Sequence, residues 1–223
     1  MTLIRPKALG FVLFSLGLAL LGLATFPIIS AQVKYYFSPE SRLIDPTVPS
    51  GRRPFLIIYP QGMPTADLTQ ATNWFPASTP QKPSAAKSTS FALSIPDIGL
   101  NGIPVSVNSV DLKKGAVHFP GTAFPGESGN VVIFGHSSSP YLYREGNPLT
   151  IFNPLPEIKV GAQITVKYDS VTYKYLIKST REVAPSQIDV LTQNKSKRQL
   201  TLVTCVPLGT YWRRFVATAE LVN

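Results

Sequence analysis

Residues 8–29, ALGFVLFSLGLALLGLATFPII, run for 22 residues without a charge, and no other feature limits the fold so firmly. At about 1.5 Å of rise per residue, a helix of this length crosses a hydrocarbon core about 30 Å thick. Arg5 and Lys7 precede it. By the positive-inside tendency they keep the short N-terminus cytoplasmic and send the rest of the chain outside. A cleaved signal peptide has a shorter apolar region, about 7–15 residues, ending in small residues. Pro27-Ile28-Ile29-Ser30-Ala31 makes a poor cleavage site. The expectation is an uncleaved, single-pass anchor in the cell membrane at 1–30, with the remainder extracytoplasmic.

Between about 31 and 90 the chain lacks sustained periodicity. Ser38-Pro39, Asp45-Pro46 and Val48-Pro49-Ser50-Gly51 interrupt it, and 76–90 is a low-complexity piece of Pro, Ser, Thr, Ala and Lys. That composition makes a Pro-stiffened spacer rather than a core. Within it, 55–59 has the make-up of a strand, and Trp74-Phe75 that of a docking point on a folded domain.

From Phe91 the texture changes, and the folded domain is placed at 91–223. FALSIPDIGL and GIPVSV read as two short strands with a turn at Asn101-Gly102, a dipeptide suited to tight hairpins. Residues 109–115 read as a short helix or turn. Residues 130–134 form a strand leading into Gly135-His136, and 137–153 a longer loop with one helical turn at 149–152. Residues 163–168 and 171–180 make a hairpin around Asp169-Ser170; 183–194 is a connection, and strands at 200–204 and 214–221 close the domain. Many short strands, Pro and Gly turns and little helix point to an all-β domain, either a barrel or a sandwich.

The formal net charge is +9, but the basic residues are spread out without aromatic–basic interleaving, so no nucleic-acid partner is expected. On an extracytoplasmic domain such charge favours an anionic membrane surface or wall polymer, or is simply a solvated face. No P-loop or GxGxxG is present for nucleotide chemistry, and no GxSxG for a serine nucleophile. One cysteine and two histidines without close spacing do not match zinc-ligand patterns. Neither a metal nor a cofactor is expected.

Cys205 is the only cysteine. Outside the cytoplasm it has no partner for an intramolecular disulfide and is open to oxidation, so it is either a reactive thiol or a buried, inert one. It ends the apolar run 200–204; VPLGT then supplies loop residues, and Arg213 and Arg214 open the next strand-like run. If those runs pair, a thiol and a guanidinium share one end of a sheet. His136 sits at a strand end beside Ser137-Ser138-Ser139, a placement that suits a base and equally a structural loop histidine. His118, among the apolar neighbours of AVHFP, reads as structural. An acyl-transferring thiol needs an adjacent base or a lowered pKa, a proton donor for the leaving amine, and donors for the oxyanion. His136, Cys205 and an arginine make up such a set.

These residues resemble the sortases, the membrane-anchored cysteine transpeptidases of bacterial cell surfaces. TAFPGESGNVVIFGH at 122–136, TLVTCVPLGT at 201–210 and RFVATAEL at 214–221 match the family's strand ending in its catalytic His, its TLxTC strand, and the strand carrying its catalytic Arg. The resemblance covers about 91–223 and implies a closed β-barrel of about eight strands. It implies that Cys205 attacks an LPxTG-like C-terminal sorting signal, that His136 carries protons, and that an arginine holds the carbonyl or oxyanion. Adjacent strand residues point to opposite faces, and the family's frame puts Arg214 toward the thiol. Arg213 then points outward, to surface or substrate, and Thr204 lines the signal groove or serves the strand. The implied partners are surface proteins or pilins bearing sorting signals, and an amine of the cell wall or of a pilin.

The TC-x-P-x-G-T segment is closer to the pilin-type and class D/E branches than to the calcium-activated class A branch. Some pilin-type sortases carry a lid with an Asp-Pro-aromatic motif; Asp45-Pro46-Thr47 lacks the aromatic residue. The rivals are another extracytoplasmic cysteine hydrolase or L,D-transpeptidase, whose Cys and His segments are ordered differently, and an anchored, non-enzymatic β-domain.

Overall fold

The computed structural model describes residues 6–37, 67–78 and 82–222, and the chain divides into two compact units, Met1–Ser50 and Gly51–Asn223. In the first, helix α1 (Pro6–Phe37) is 32 residues long. Its run of Leu and Ala favours helix, and Leu13, Phe14, Leu16, Leu18, Leu20, Leu21 and Leu23 are all exposed. Side chains are described without a break only from 13 to 26, and among the described residues no helix is long and apolar enough to cross a membrane. The structure thus gives a helix where an anchor is expected, and does not give a crossing. Residues 55–59 and Asp45-Pro46-Thr47 lie outside the described residues.

The second unit contains eight strands: β1 (Ser90–Ile95), β2 (Leu100–Ser106), β3 (Ala116–His118), β4 (Gly129–Phe134), β5 (Gln163–Tyr168), β6 (Val171–Val183), β7 (Arg198–Val206) and β8 (Arg213–Leu221). They close in the order β1-β2-β3-β4-β7-β8-β6-β5. The domain is therefore a barrel and not a sandwich. Alternation along the strands builds two apolar layers. Leu93, Ile95, Val131, Ile133, Ile164, Val166, Leu200 and Leu202 fill the barrel. Val132, Phe134, Val203, Cys205 and Val216 belong to a separate cluster with Ala71, Trp74, Phe75 and Leu112. Residues 71–74 form a 3-10 turn N-terminal to the expected boundary at 91, within the same compact unit as the barrel.

One local expectation needs correction. The β1–β2 turn is not at Asn101-Gly102, which lie inside β2. Pro96–Ile98 makes the turn instead, as a 3-10 turn ended by Gly99 at φ 74°. Proline presets the first position and glycine takes the left-handed one at no steric cost. Residues 116–118, given no element above, form β3, which pairs parallel with β2 and antiparallel with β4, and His118, read as structural, is wholly buried in it. At the β5–β6 hairpin, Asp169 and Ser170 take φ 51° and 63°, the left-handed pair that suits the twist of a two-residue hairpin.

Candidate active site

Strands β4 and β7 run parallel and in register from Gly129↔Arg198 to Phe134↔Val203. Continuing that register by two residues brings His136 alongside Cys205. On the other side of β7, the antiparallel register pairs Cys205 with Arg214. Cys205 and Arg214 thus face each other across β7 and β8, and His136, two residues past the end of β4, falls beside Cys205 if that register is carried on. The Val203 carbonyl is turned to β4, where it accepts from Gly135 N at 3.1 Å. The backbone of Cys205, two residues on, faces the same way, so Cys205 and Arg214 form a non-hydrogen-bonded pair, the kind whose side chains lie closer together.

Arg213 pairs with Val206, one step away from the Cys205–Arg214 pair. Its Nη2 donates to the Glu182 carbonyl at 3.2 Å, and its Nε lies 3.5 Å from Glu182 Oε2. Thr204 is wholly buried, and its Oγ1 donates to the Gly135 carbonyl at 2.9 Å. The hydroxyl thus reaches the neighbouring strand. His118 lies apart: it pairs with Ile133, packs its ring near Phe91 and Phe124, and engages Ala123 O and Thr122 Oγ1 at 3.0 Å each.

Burial sets the charge states. Cys205 is 5% exposed, and its burial pushes the thiol up to about 11 against the pull of the Arg214 charge. Burial also holds His136 below the ordinary histidine value, with the Asp67 carboxylate opposing it. Near neutral pH the two groups are therefore a neutral thiol and a neutral imidazole. His136 Nε2 is buried without a hydrogen-bond partner among the described residues. Arg214, 2% exposed, is held by backbone carbonyls. Its Nη1 donates to Tyr211 O at 2.8 Å and Arg213 O at 3.3 Å, and its Nη2 to Trp74 O at 3.2 Å.

The cover over this site comes from residues 67–78. The Trp74 ring centroid is 5.8 Å from that of His136, and Arg214 Cζ lies 5.3 Å from it. Phe75 meets Phe134 edge-on at 6.0 Å. The segment is fastened by Ala71 N to Val110 O at 2.8 Å and Leu112 N to Thr69 O at 2.9 Å, and braced internally by Trp74 Nε1 to Leu68 O at 2.8 Å. Trp74 and Asp67 are site neighbours that strand patterning does not reveal. The only signal for them is a pair of aromatic residues in a Pro- and Ser-rich stretch. The loop after His136 is also tied down. Phe152 N donates to His136 O at 2.9 Å, and Gly135 has no room for a side chain, since a Cβ there would sit 2.5 Å from the Phe152 ring. Among the described residues no group of three or more His, Cys, Asp or Glu could hold a metal ion.

A family model for the sortase domain matches residues 93–222. The chain belongs to the sortase family. Sortase A of Streptococcus agalactiae serotype III (strain NEM316) is 29% identical over 132 residues, covering 58% of this chain and 51% of that protein. Sortase D of Bacillus subtilis (strain 168) is 27% identical over 136 residues, covering 59% and 63%. The chain thus spans about half to under two thirds of the length of these curated relatives. Among solved structures, the sortase D5 transpeptidase of Clostridium perfringens superposes with a TM-score of 0.52 at 28% identity, covering 62% of this chain and 82% of that one. A lid mutant of sortase A from Corynebacterium diphtheriae gives 0.53 at 27%, covering 62% and 73%. The matched range contains His136, Cys205 and Arg214 of this sortase and excludes the segment carrying Trp74.

Proposed function

We propose that this sortase is a cysteine transpeptidase acting on C-terminal sorting signals of the LPxTG kind. The observation that supports the reading is the pairing of Cys205 with Arg214 across β7 and β8, with His136 following the end of β4, the strand parallel to β7. Cys205 Sγ attacks the carbonyl carbon of the residue before the scissile bond, and its proton passes to His136. The guanidinium of Arg214 donates to the carbonyl oxygen as negative charge develops there. The C–N bond breaks, His136 returns the proton to the leaving amine, and a thioester remains on Cys205. An incoming amine, from the cell wall or a pilin, then gives a proton to His136, attacks the thioester and releases the thiol. A neutral thiol beside a neutral imidazole starts this cycle with the proton in the right place, on sulfur.

A buried thiol does not meet a peptide, so the reading includes a lid. Residues 67–78 lie over His136 and Arg214 and lift for substrate. The Trp74 carbonyl holds the Arg214 Nη2 donor in the covered state, and a substrate carbonyl takes its place when the segment leaves. Sortase A of C. diphtheriae has a lid. We further propose that residues 8–29, free of charge and preceded by Arg5 and Lys7, anchor the chain in the cell membrane with the barrel outside. Surface proteins or pilins are then its partners.

The test incubates the protein with an LPxTG-type peptide and an amine and seeks, by mass spectrometry, a thioester on Cys205 and the amine-ligated product. Both are expected with the wild-type chain and neither with Cys205→Ala. Absence of cleavage and adduct across a panel of sorting-signal variants overturns the reading in favour of a non-enzymatic domain.

A further inference from the structure

The two strand ends that carry His136 and Cys205 are not joined as a parallel ladder would join them. β4 ends at Phe134, and Gly135 N to Val203 O adds one more rung beyond it. In a continuing parallel ladder the next acceptors in line are the Gly135 carbonyl, then the Cys205 carbonyl, each receiving a backbone N–H from the other strand. Here both are taken by side-chain hydroxyls. Thr204 Oγ1 donates to Gly135 O at 2.9 Å, and Ser137 Oγ donates to Cys205 O at 2.6 Å. Each clasp is adjacent in sequence to a group it would hold: Thr204 precedes the thiol residue, and Ser137 follows the imidazole residue.

We propose that the Ser137 and Thr204 hydroxyls are positioning groups that replace the ladder past Phe134 and set the separation of Cys205 from His136. The inference rests on the catalytic reading of that pair. The two bonds run in opposite senses, from β7 to the β4 extension and back, so together they resist both sliding and opening of the strand ends. Thr204 is wholly buried and Ser137 partly so. Proton transfer between sulfur and imidazole depends steeply on their separation, and a displacement of about 1 Å can cost about a hundredfold in rate. A groove-lining role for Thr204 predicts weaker substrate binding on its loss. A positioning role predicts slower chemistry at unchanged binding.

The experiment uses the full chain in detergent micelles with an LPxTG-type peptide and an amine, and measures kcat, KM and melting temperature. The wild-type chain comes first: if it forms no thioester on Cys205, the catalytic reading fails and this inference falls with it. Given wild-type turnover, Ser137→Ala is expected to lower kcat about tenfold or more with KM and melting temperature little changed, and Ser137→Thr, which keeps the hydroxyl, to restore it. Equal kcat for wild type and Ser137→Ala overturns the inference while leaving the reaction intact, as does a fall in kcat that Ser137→Thr shares. Should Ser137→Ala fail to fold, the near-isosteric Thr204→Val against Thr204→Ser decides by the same readout. Loss of kcat with valine and retention with serine supports positioning; a rise in KM alone, or no difference between the two, overturns it.

Discussion

Arg214 holds its guanidinium over the ring of Trp74, 5.3 Å from Cζ to the ring centroid, and donates to the Trp74 carbonyl at 3.2 Å. The same ring lies 5.8 Å from that of His136. One residue from outside the barrel strands thus contacts both Arg214 and His136, by its face and by its backbone oxygen. Cation–π contact of a desolvated arginine is worth on the order of 2 kcal/mol.

Trp74→Ala therefore exposes the thiol. Loss of a buried tryptophan costs on the order of 3–5 kcal/mol, and the loss falls on the docking of residues 67–78 rather than on the barrel ladder. Burial holds the Cys205 pKa at about 11, so removing the cover moves it down. Alkylation by iodoacetamide, followed against pH, should reach its half-maximal rate at lower pH in the variant, with faster reaction at pH 8. An unchanged profile in a folded variant contradicts the lid.

The imidazole should respond in the same experiment. His136 is held below its ordinary value first by burial, with the Asp67 charge acting the other way. Uncovering it by Trp74→Ala should raise its titration midpoint, and Asp67→Asn, which leaves the burial and removes the charge, should lower it. Ring-proton NMR reads both shifts. Midpoints moving in the same direction in the two variants would refute the assignment of causes.

Most strands of the barrel were legible in this sequence because period-2 runs and turn residues are local signals, whereas closure into a barrel rather than a sandwich depends on long-range pairing and was implied only by the resemblance to sortases. The 163–168 and 171–180 hairpin with Asp169-Ser170 at its tip was read directly, and β6 merely extends three residues further, to Val183. The β1–β2 turn was misplaced because Asn101-Gly102 carries a stronger turn signature than Pro96–Ile98, yet it falls at the register shift between Leu93 and Ile95, where Gly102 takes φ 63° and its N–H donates to Ser94 Oγ in place of a ladder carbonyl. Strand β3 was missed because three residues, Ala116–His118, carry no readable period. The cover was legible only in part: Trp74-Phe75 was read as a docking point on the domain and does pack against Phe134, but its place beside His136 and Arg214 arises from long-range packing that a Pro-rich neighbourhood does not announce.

His118 should mark the acid limit of the fold. Its pKa is lowered to about 4 by burial, against the Ala123 carbonyl and the Glu127 charge, whereas the unfolded chain titrates near 6.5. Between those values the unfolded state binds the proton and the folded state does not, so stability falls as pH drops from about 6.5 to about 4. The full difference is on the order of 3 kcal/mol. Carboxylates add their own acid dependence, so the comparison is with His118→Gln, which keeps a donor for the Ala123 carbonyl and cannot titrate. Melting temperatures at pH 7 and pH 4.5 should differ by less in the variant than in the wild type. Equal differences would mean that the ring is protonated in the fold.

The two arginines should separate cleanly. Arg213 bonds a carbonyl and a carboxylate of Glu182 at a half-exposed position, and such pairs are worth about 0–1 kcal/mol. Arg213→Ala should leave sorting-signal cleavage within about tenfold of wild type. Arg214 shares its row with Cys205, and removing one oxyanion donor typically costs about 10²–10³ in kcat. Arg214→Ala should reach that loss with the barrel still folded. Arg214→Lys should not restore activity, because a single ammonium cannot serve the Tyr211, Arg213 and Trp74 carbonyls in the geometry of a planar fork. Peptide cleavage rates for the three variants, read with circular dichroism for folding, check the order. A greater loss in Arg213→Ala than in Arg214→Ala would reassign the row and place the oxyanion donor on the other face of β8.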